Sequence, residues 1–283
     1  MDAKRVASIL ASLLACLLLS CLPLAGPSGN GALALPGPTP AAAATGPIPT
    51  ALAAPSSAGG SPGRAGTQLE QRLGQWPLWQ LPAPLRRAGR EAPRWPTWFA
   101  GDWWVHSAAL PVPADAEASG SGQTRPDAAS EEPAPWRVRF LERDGAVVAD
   151  RAFNAASLAR TMLPGTRLQV QDDPTDPRRQ LARLGPDQLL ETTLLAWRVE
   201  QPSADLFLND ELSLEVLRGA GPPRLSRVET LGRWQRRSDG SIEGEQWQAR
   251  YPGPDQGLIA GPVASEHLRL RLVPVPPGSD PAS

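Results

Sequence analysis

Between Arg5 and Arg64 the chain carries no charged residue, and no aromatic side chain occurs before Trp76. A stretch of that composition cannot bury enough apolar surface to offset the entropy of ordering its backbone. Core-forming material is therefore confined to about 200 of the 283 residues, roughly Trp76 to Pro276, which is the size of one domain.

The N-terminus reads as a targeting segment. Lys4 and Arg5 form a short positive region, and Val6 to Leu19 is an apolar run of signal-peptide length rather than a stable span. Residues 1–25 are thus expected to direct export. Leu18-Leu19-Ser20-Cys21 looks like the bacterial lipobox, which makes Cys21 a candidate for lipidation and the protein a candidate lipoprotein held at a membrane. Ala32-Leu33-Ala34 offers the competing outcome, cleavage at small residues and release of a soluble protein. Both cysteines, Cys16 and Cys21, lie in this leader, so the remainder has no thiol for a disulfide, a metal or a nucleophile. Residues 26–75, rich in Pro, Ala and Gly, are expected to form a disordered linker. Within it, Thr67-Gln68-Leu69-Glu70 has the spacing of a capping box and predicts a short helix.

From Ala100 onward the apolar period is two, which places alternate side chains on opposite faces of a sheet. Trp136 to Phe140 alternates, turns at Asp144-Gly145 and returns as Val147 to Phe153, the pattern of a hairpin closed by a type I′ turn. Asn154 reads as the N-cap of a short helix, with Phe153 and Leu158 as a hydrophobic staple and Pro164-Gly165 as its stop. Further strands are predicted at Thr166–Gln171, Leu189–Glu200, Leu212–Arg218, Leu225–Arg236, Ile242–Tyr251 and His267–Val273. The expected fold is mainly β: an antiparallel barrel of about eight or more strands with one short helical insert. A barrel is favoured over a sandwich because closure removes exposed edges. The domain would span 76–276, with a low-complexity, mobile insertion at 111–135 and a tail at 277–283.

Two resemblances add to this. Gly101-x-Trp103 at the head of the first long strand resembles the Gly-x-Trp signature of lipocalins and the wider calycin superfamily, in which the Trp plugs one end of the barrel. A second set of motifs is more specific: Leu81-Pro-x-Pro, Trp95-Pro-x-Trp-Phe-x-Gly101, Val147-Val-Ala-Asp-Arg-Ala-Phe-Asn154 and Asp173-Pro-x-x-Pro-x-Arg-Gln180. Together these resemble an uncharacterised family of cyanobacterial and chloroplast proteins, a domain of unknown function. That resemblance implies a photosynthetic organism and a place in the periplasm or thylakoid lumen, and carries no activity. It covers most of Leu81–Val273, though the low-complexity insertion stands where the family suggests an ordered stretch.

Recognisable chemistry is sparse. Basic and acidic residues number 28 and 29 and are interleaved, which argues against a nucleic-acid surface. The two histidines, His106 and His267, are too few for a multi-His metal site. A haem-holding role for His267, as in some calycin relatives, conflicts with alternation, which puts it with Arg269 and Arg271 on the face opposite Leu268, Leu270 and Leu272. Nucleophile elbow, P-loop and dinucleotide fingerprint are absent. Asp172, Asp173 and Asp176 read as turn formers, and Glu243 and Glu245 as solvated strand residues. The expectation is a non-enzyme with no cofactor and no metal.

The ten tryptophans carry what remains. Trp103, Trp136, Trp197, Trp234 and Trp247 fall in predicted strands, and with Gly101 they are the candidate lining or plug of the barrel. The first expectation is a barrel for a small apolar ligand. The alternative is an assembly or structural factor that docks on a membrane protein through the Pro- and Trp-rich segment 76–98. A third, an isomerase or lyase of calycin type, rests on no identified residue.

Overall fold

The computed structural model describes residues 66–112, 133–253, 261–276 and 278. The signal peptide, the Cys21 lipobox, the linker before Gly66 and most of the 111–135 insertion lie outside those residues.

Eleven strands form one antiparallel sheet: β1 (Arg86–Arg87), β2 (Gly101–Leu110), β3 (Trp136–Arg143), β4 (Ala146–Ala149), β5 (Leu168–Asp172), β6 (Arg179–Leu184), β7 (Gln188–Ser203), β8 (Leu206–Arg218), β9 (Arg224–Arg236), β10 (Ile242–Pro252) and β11 (Ala264–Pro274). The order across it is β4-β3-β2-β11-β10-β9-β8-β7-β6-β5, with β1 on the edge of β7. Helices α1 (Gln68–Leu73) and α2 (Arg151–Met162) flank it, and a 3-10 turn covers Thr97–Phe99.

The sheet is curled. One apolar cluster joins Trp103, Trp136, Phe207, Trp234 and Leu270 to Ala182 and Leu190, residues drawn from β2 through β11. Strands so far apart in the order meet only if the face they share is concave. Antiparallel barrel geometry is therefore present, as a half-barrel whose two ends, β4 and β5, share no ladder among the described residues.

Other elements span the seam. α2 packs on both β3 and β5. The N-terminal segment crosses from β7 to β4: Arg86 and Arg87 pair with Trp197 and Ala196, Ala88 N–H donates to Leu195 O at 2.8 Å, and Trp95 N–H donates to Val147 O at 2.8 Å. These bonds satisfy backbone groups that a free sheet edge would expose.

Local chemistry explains most elements. Asp144 and Gly145, with φ of 51° and 71°, make the tight turn from β3 to β4. Thr67 and Glu70 close the capping box that starts α1. Three expectations need correction. The return strand ends at Ala149 and the helix cap is Asp150, whose Oδ1 accepts from Phe153 N–H at 3.3 Å. Asn154 lies inside α2, where it accepts from Arg139 N–H at 2.7 Å and donates to Arg139 O at 3.2 Å. A planar amide can satisfy both backbone groups of one strand residue, so it extends the edge of β3. Second, β6 was not expected, because Arg-Gln-Leu-Ala-Arg-Leu offers only alternating Gln180, Ala182 and Leu184 as its buried side. The aspartates before it do form a turn: Asp173 Oδ1 accepts from Thr175 N–H at 2.7 Å and Asp176 N–H at 3.2 Å.

Third, the folded region begins before Trp76, and its tryptophans turn inward. α1 and the following segment lie on the convex face, where Leu69 and Trp79 pack with Leu208, Leu231, Ala249 and Tyr251. Trp79 is fully buried, Trp95 nearly so, and Trp76 and Trp98 are half-buried; only Leu78 stands out as an exposed large apolar side chain there, at 66%. Within the Trp-rich segment 76–98, Trp79 and Trp95 are thus packed against the protein's own sheet.

Candidate functional site

Strand register fixes which residues face into the curl. Reading across β11, β10, β9, β8 and β7, Leu270, Gly244, Trp234 and Phe207 form an apolar row at one end. Trp234 is wholly buried, donates from Nε1 to Asn209 Oδ1 at 2.7 Å, and lies against Gly232 and Gly244, where any β-carbon would meet its ring. Trp103 donates to Phe99 O at 2.7 Å, and the Phe99, Phe140 and Phe207 rings pack edge-on or tilted around Trp95.

Beyond that aromatic end the concave face turns polar. Glu266, Gln248, Thr230 and Glu211 occupy one register row, continued by Trp197. A parallel row runs through Ser226, Glu215, Thr192 and Gln180. Between them lie Arg250, Val228, Ser213 and Leu194. Arg250 Nη1 donates to Glu215 Oε2 and to Ser226 Oγ, both at 2.6 Å, and Ser226 donates to Glu215 at 3.0 Å. The hydroxyls of Thr192 and Thr230, 1% and 8% exposed, have no hydrogen-bond partner among the described residues.

This polarity runs against the alternation that a strand on a core normally shows. In β8, Leu212, Leu214 and Val216 sit half-buried on the convex side, while Glu211, Ser213 and Glu215 are buried inside. Burial raises the Glu211 carboxyl above its ordinary value, against the opposing field of Arg151. Burial likewise raises Glu266, to about 7, with Arg250 opposing. A cleft of about 10 Å³ at the seam is lined by Ala92, Pro93, Trp95, Ala149, Arg151 and Glu211, room for about one water.

The convex face carries a second buried polar cluster. Arg72 grips Glu229 with Nε to Oε1 at 2.8 Å and Nη2 to Oε2 at 2.7 Å, and Tyr251 donates to the same carboxylate at 2.7 Å. Asp210 lies beside it, pushed well above the carboxylate range by burial and by the Glu229 charge. Trp79 donates to Arg72 O at 2.8 Å and closes over the guanidinium, 5.0 Å from its ring. Sealed beneath α1, this cluster anchors the N-terminal segment.

The candidate residues from sequence separate accordingly. Trp103, Trp136 and Trp234 lie together in the concave aromatic end. Gly101, at φ 110°, begins β2 in a conformation that favours glycine. Trp197 stands beside the polar band rather than among the aromatics. Trp247 is not a lining residue: its register opposite Leu231 and His267 turns it to the convex face, where it stacks on His267 at 4.8 Å. His267 is on that face as alternation required, 3.2 Å from Glu245. Cys21 is outside the described residues. Sequence reasoning missed Thr192, Glu211, Glu215, Thr230, Arg250 and Glu266. Their signal was present in the polar positions of Glu-Leu-Ser-Leu-Glu-Val at 211–216, but its sense depends on which face is concave.

No group of three His, Cys, Asp or Glu side chains able to hold a metal occurs among the described residues, and no described helix is long and apolar enough to cross a membrane. No curated protein and no solved structure is found to match the chain. A family model described as Domain of unknown function (DUF6816) matches residues 88–257, from the crossing segment at the seam through β10. That span exceeds half the chain and includes both the aromatic end and most of the polar band, and the chain belongs to the DUF6816 family.

Proposed function

We propose that the domain is a non-enzymatic barrel that holds a small amphipathic molecule along its concave face. The observation that carries this is the pair of buried, inward-facing hydroxyls of Thr192 and Thr230, which have no hydrogen-bond partner among the described residues. A buried polar group left unpaired costs about 1–3 kcal/mol, so two on one face favour a site that a ligand completes. An apolar molecule, the expectation from sequence, suits the aromatic end; the polar band calls for a head group as well.

Native mass spectrometry of the full-length protein purified from its source tests this. The expected result is a bound small molecule that the Thr192→Val/Thr230→Val double variant loses while keeping its fold. A protein that carries nothing, and a double variant that is simply more stable, would overturn the reading. The leader supports a further expectation, export to the periplasm or thylakoid lumen with Cys21 as the lipid tether, and the mass of the mature N-terminus decides it.

A further inference from the structure

Resting on the ligand-binding reading, we infer that the head group is a cation: the concave face binds an organic ammonium or guanidinium carried on an apolar body. Three glutamates, Glu211, Glu215 and Glu266, face into the curl. Only Glu215 has its charge met, by Arg250 at 2.6 Å. Glu211 and Glu266 make no ion pair among the described residues, and Arg151 and Arg250 act on them through space alone. Burying an unpaired carboxyl is unfavourable once it ionises, and a bound cation offsets that cost directly.

The arrangement selects a molecule over a metal ion. Glu211, Thr230, Gln248 and Glu266 stand on four neighbouring strands in one row, and strands are spaced about 4.8 Å apart. Carboxyls at the two ends of such a row flank an extended group, with Thr230 Oγ1 between them as an acceptor lacking a partner among the described residues. Trp197 pairs across from Glu211 and offers a ring face of the kind that attracts cations. Leu194 and Val228, buried on the same face and belonging to neither apolar cluster, suit the apolar body. An anionic head would find Arg250, already engaged by Glu215 and Ser226, and Arg151, whose field already falls on Glu211.

Three probes with the same tail separate the possibilities: octylammonium, 1-octanol and octanoate, titrated into the full-length protein by calorimetry and tryptophan fluorescence. Octylammonium is expected to bind about tenfold or more tightly than octanol, with octanoate weakest. Its affinity should fall as pH drops from about 8 to 6, because protonation of Glu266 removes a counter-charge; the charged groups facing this row are Arg250, Glu215 and Arg151, with Asp210 behind the sheet. Glu266→Gln and Glu211→Gln should each remove the preference for octylammonium over octanol. Octanol or octanoate binding as tightly as octylammonium would overturn the cation inference and leave the ligand-binding reading standing. Binding of none of the three would overturn both.

Discussion

Replacing Arg72 with methionine keeps an apolar stem of similar length beneath α1 and removes the guanidinium. The side chains of Arg72 and Glu229 are 4% and 0% exposed and share two hydrogen bonds of 2.7–2.8 Å. Arg72 also donates to Gln75 Oε1 and Gln80 O, both at 3.1 Å, so the same group fixes the segment that follows the helix. Without it, Glu229 is left with the Tyr251 hydroxyl as its donor, next to Asp210. Breaking a buried ion pair on one side costs about 3–5 kcal/mol, whereas replacing both partners by apolar groups costs far less. Urea unfolding of the full-length protein, followed by tryptophan fluorescence and circular dichroism, is therefore expected to show Arg72→Met destabilised by that amount. The double variant Arg72→Met/Glu229→Leu should recover about 2 kcal/mol or more relative to the sum of the single variants. An Arg72→Met cost below about 1 kcal/mol, or strict additivity in the double variant, would refute the claim that this pair anchors the N-terminal segment.

Three more perturbations test other parts of the fold. Gly244→Ala places a methyl group against the Trp234 ring, so unfolding should show a loss of about 1–3 kcal/mol or more and near-UV circular dichroism a changed tryptophan band. Glu266 is raised from 4.5 to about 7, which makes the native state the better proton binder between those values; stability falls as pH rises through that window, by about 3 kcal/mol at most. Glu266→Gln should flatten that slope in denaturant titrations run across the same range, and an unchanged slope would assign it elsewhere. Asp150→Ala removes the N-cap of α2 and is expected to cost about 1 kcal/mol, measured by thermal unfolding, with α2 and the seam against β5 the first to gain hydrogen exchange.

Local rules carried a large part of this fold. The type I′ turn at Asp144-Gly145, the capping box at Thr67 and the long strands β7 to β11 each follow from chemistry within a few residues, and that chemistry is visible in sequence. The misplaced elements depended on partners elsewhere. Asn154 resembles an N-cap, yet its amide serves Arg139 on β3, while Asp150 four residues earlier takes the cap. β6 was invisible because its buried Gln180 and Ala182 gain their environment from β7 and the concave face. Trp247 and Trp234 have the same residue type and similar strand contexts, and only register across β9 and β10 separates them.

The inverted alternation in β8 follows from the same dependence on context and bears on function. A sheet covered on one side must place its apolar residues against that side. Here the convex side is covered too, because α1, Trp79 and the segment to Leu85 pack on β8, β9 and β10. Leu208, Leu231 and Tyr251 therefore gain their burial outside the curl, while the aromatic cluster around Trp234 supplies a core at one end inside it. With stability drawn from those two places, the remaining concave positions of β7 to β11 can carry Thr192, Glu211, Glu215, Thr230, Arg250 and Glu266. The buried polar band and the anchored N-terminal segment are thus one arrangement: weakening the anchor at Arg72 should loosen the sheet on which the polar row stands, even though no residue of the anchor lies on the concave face.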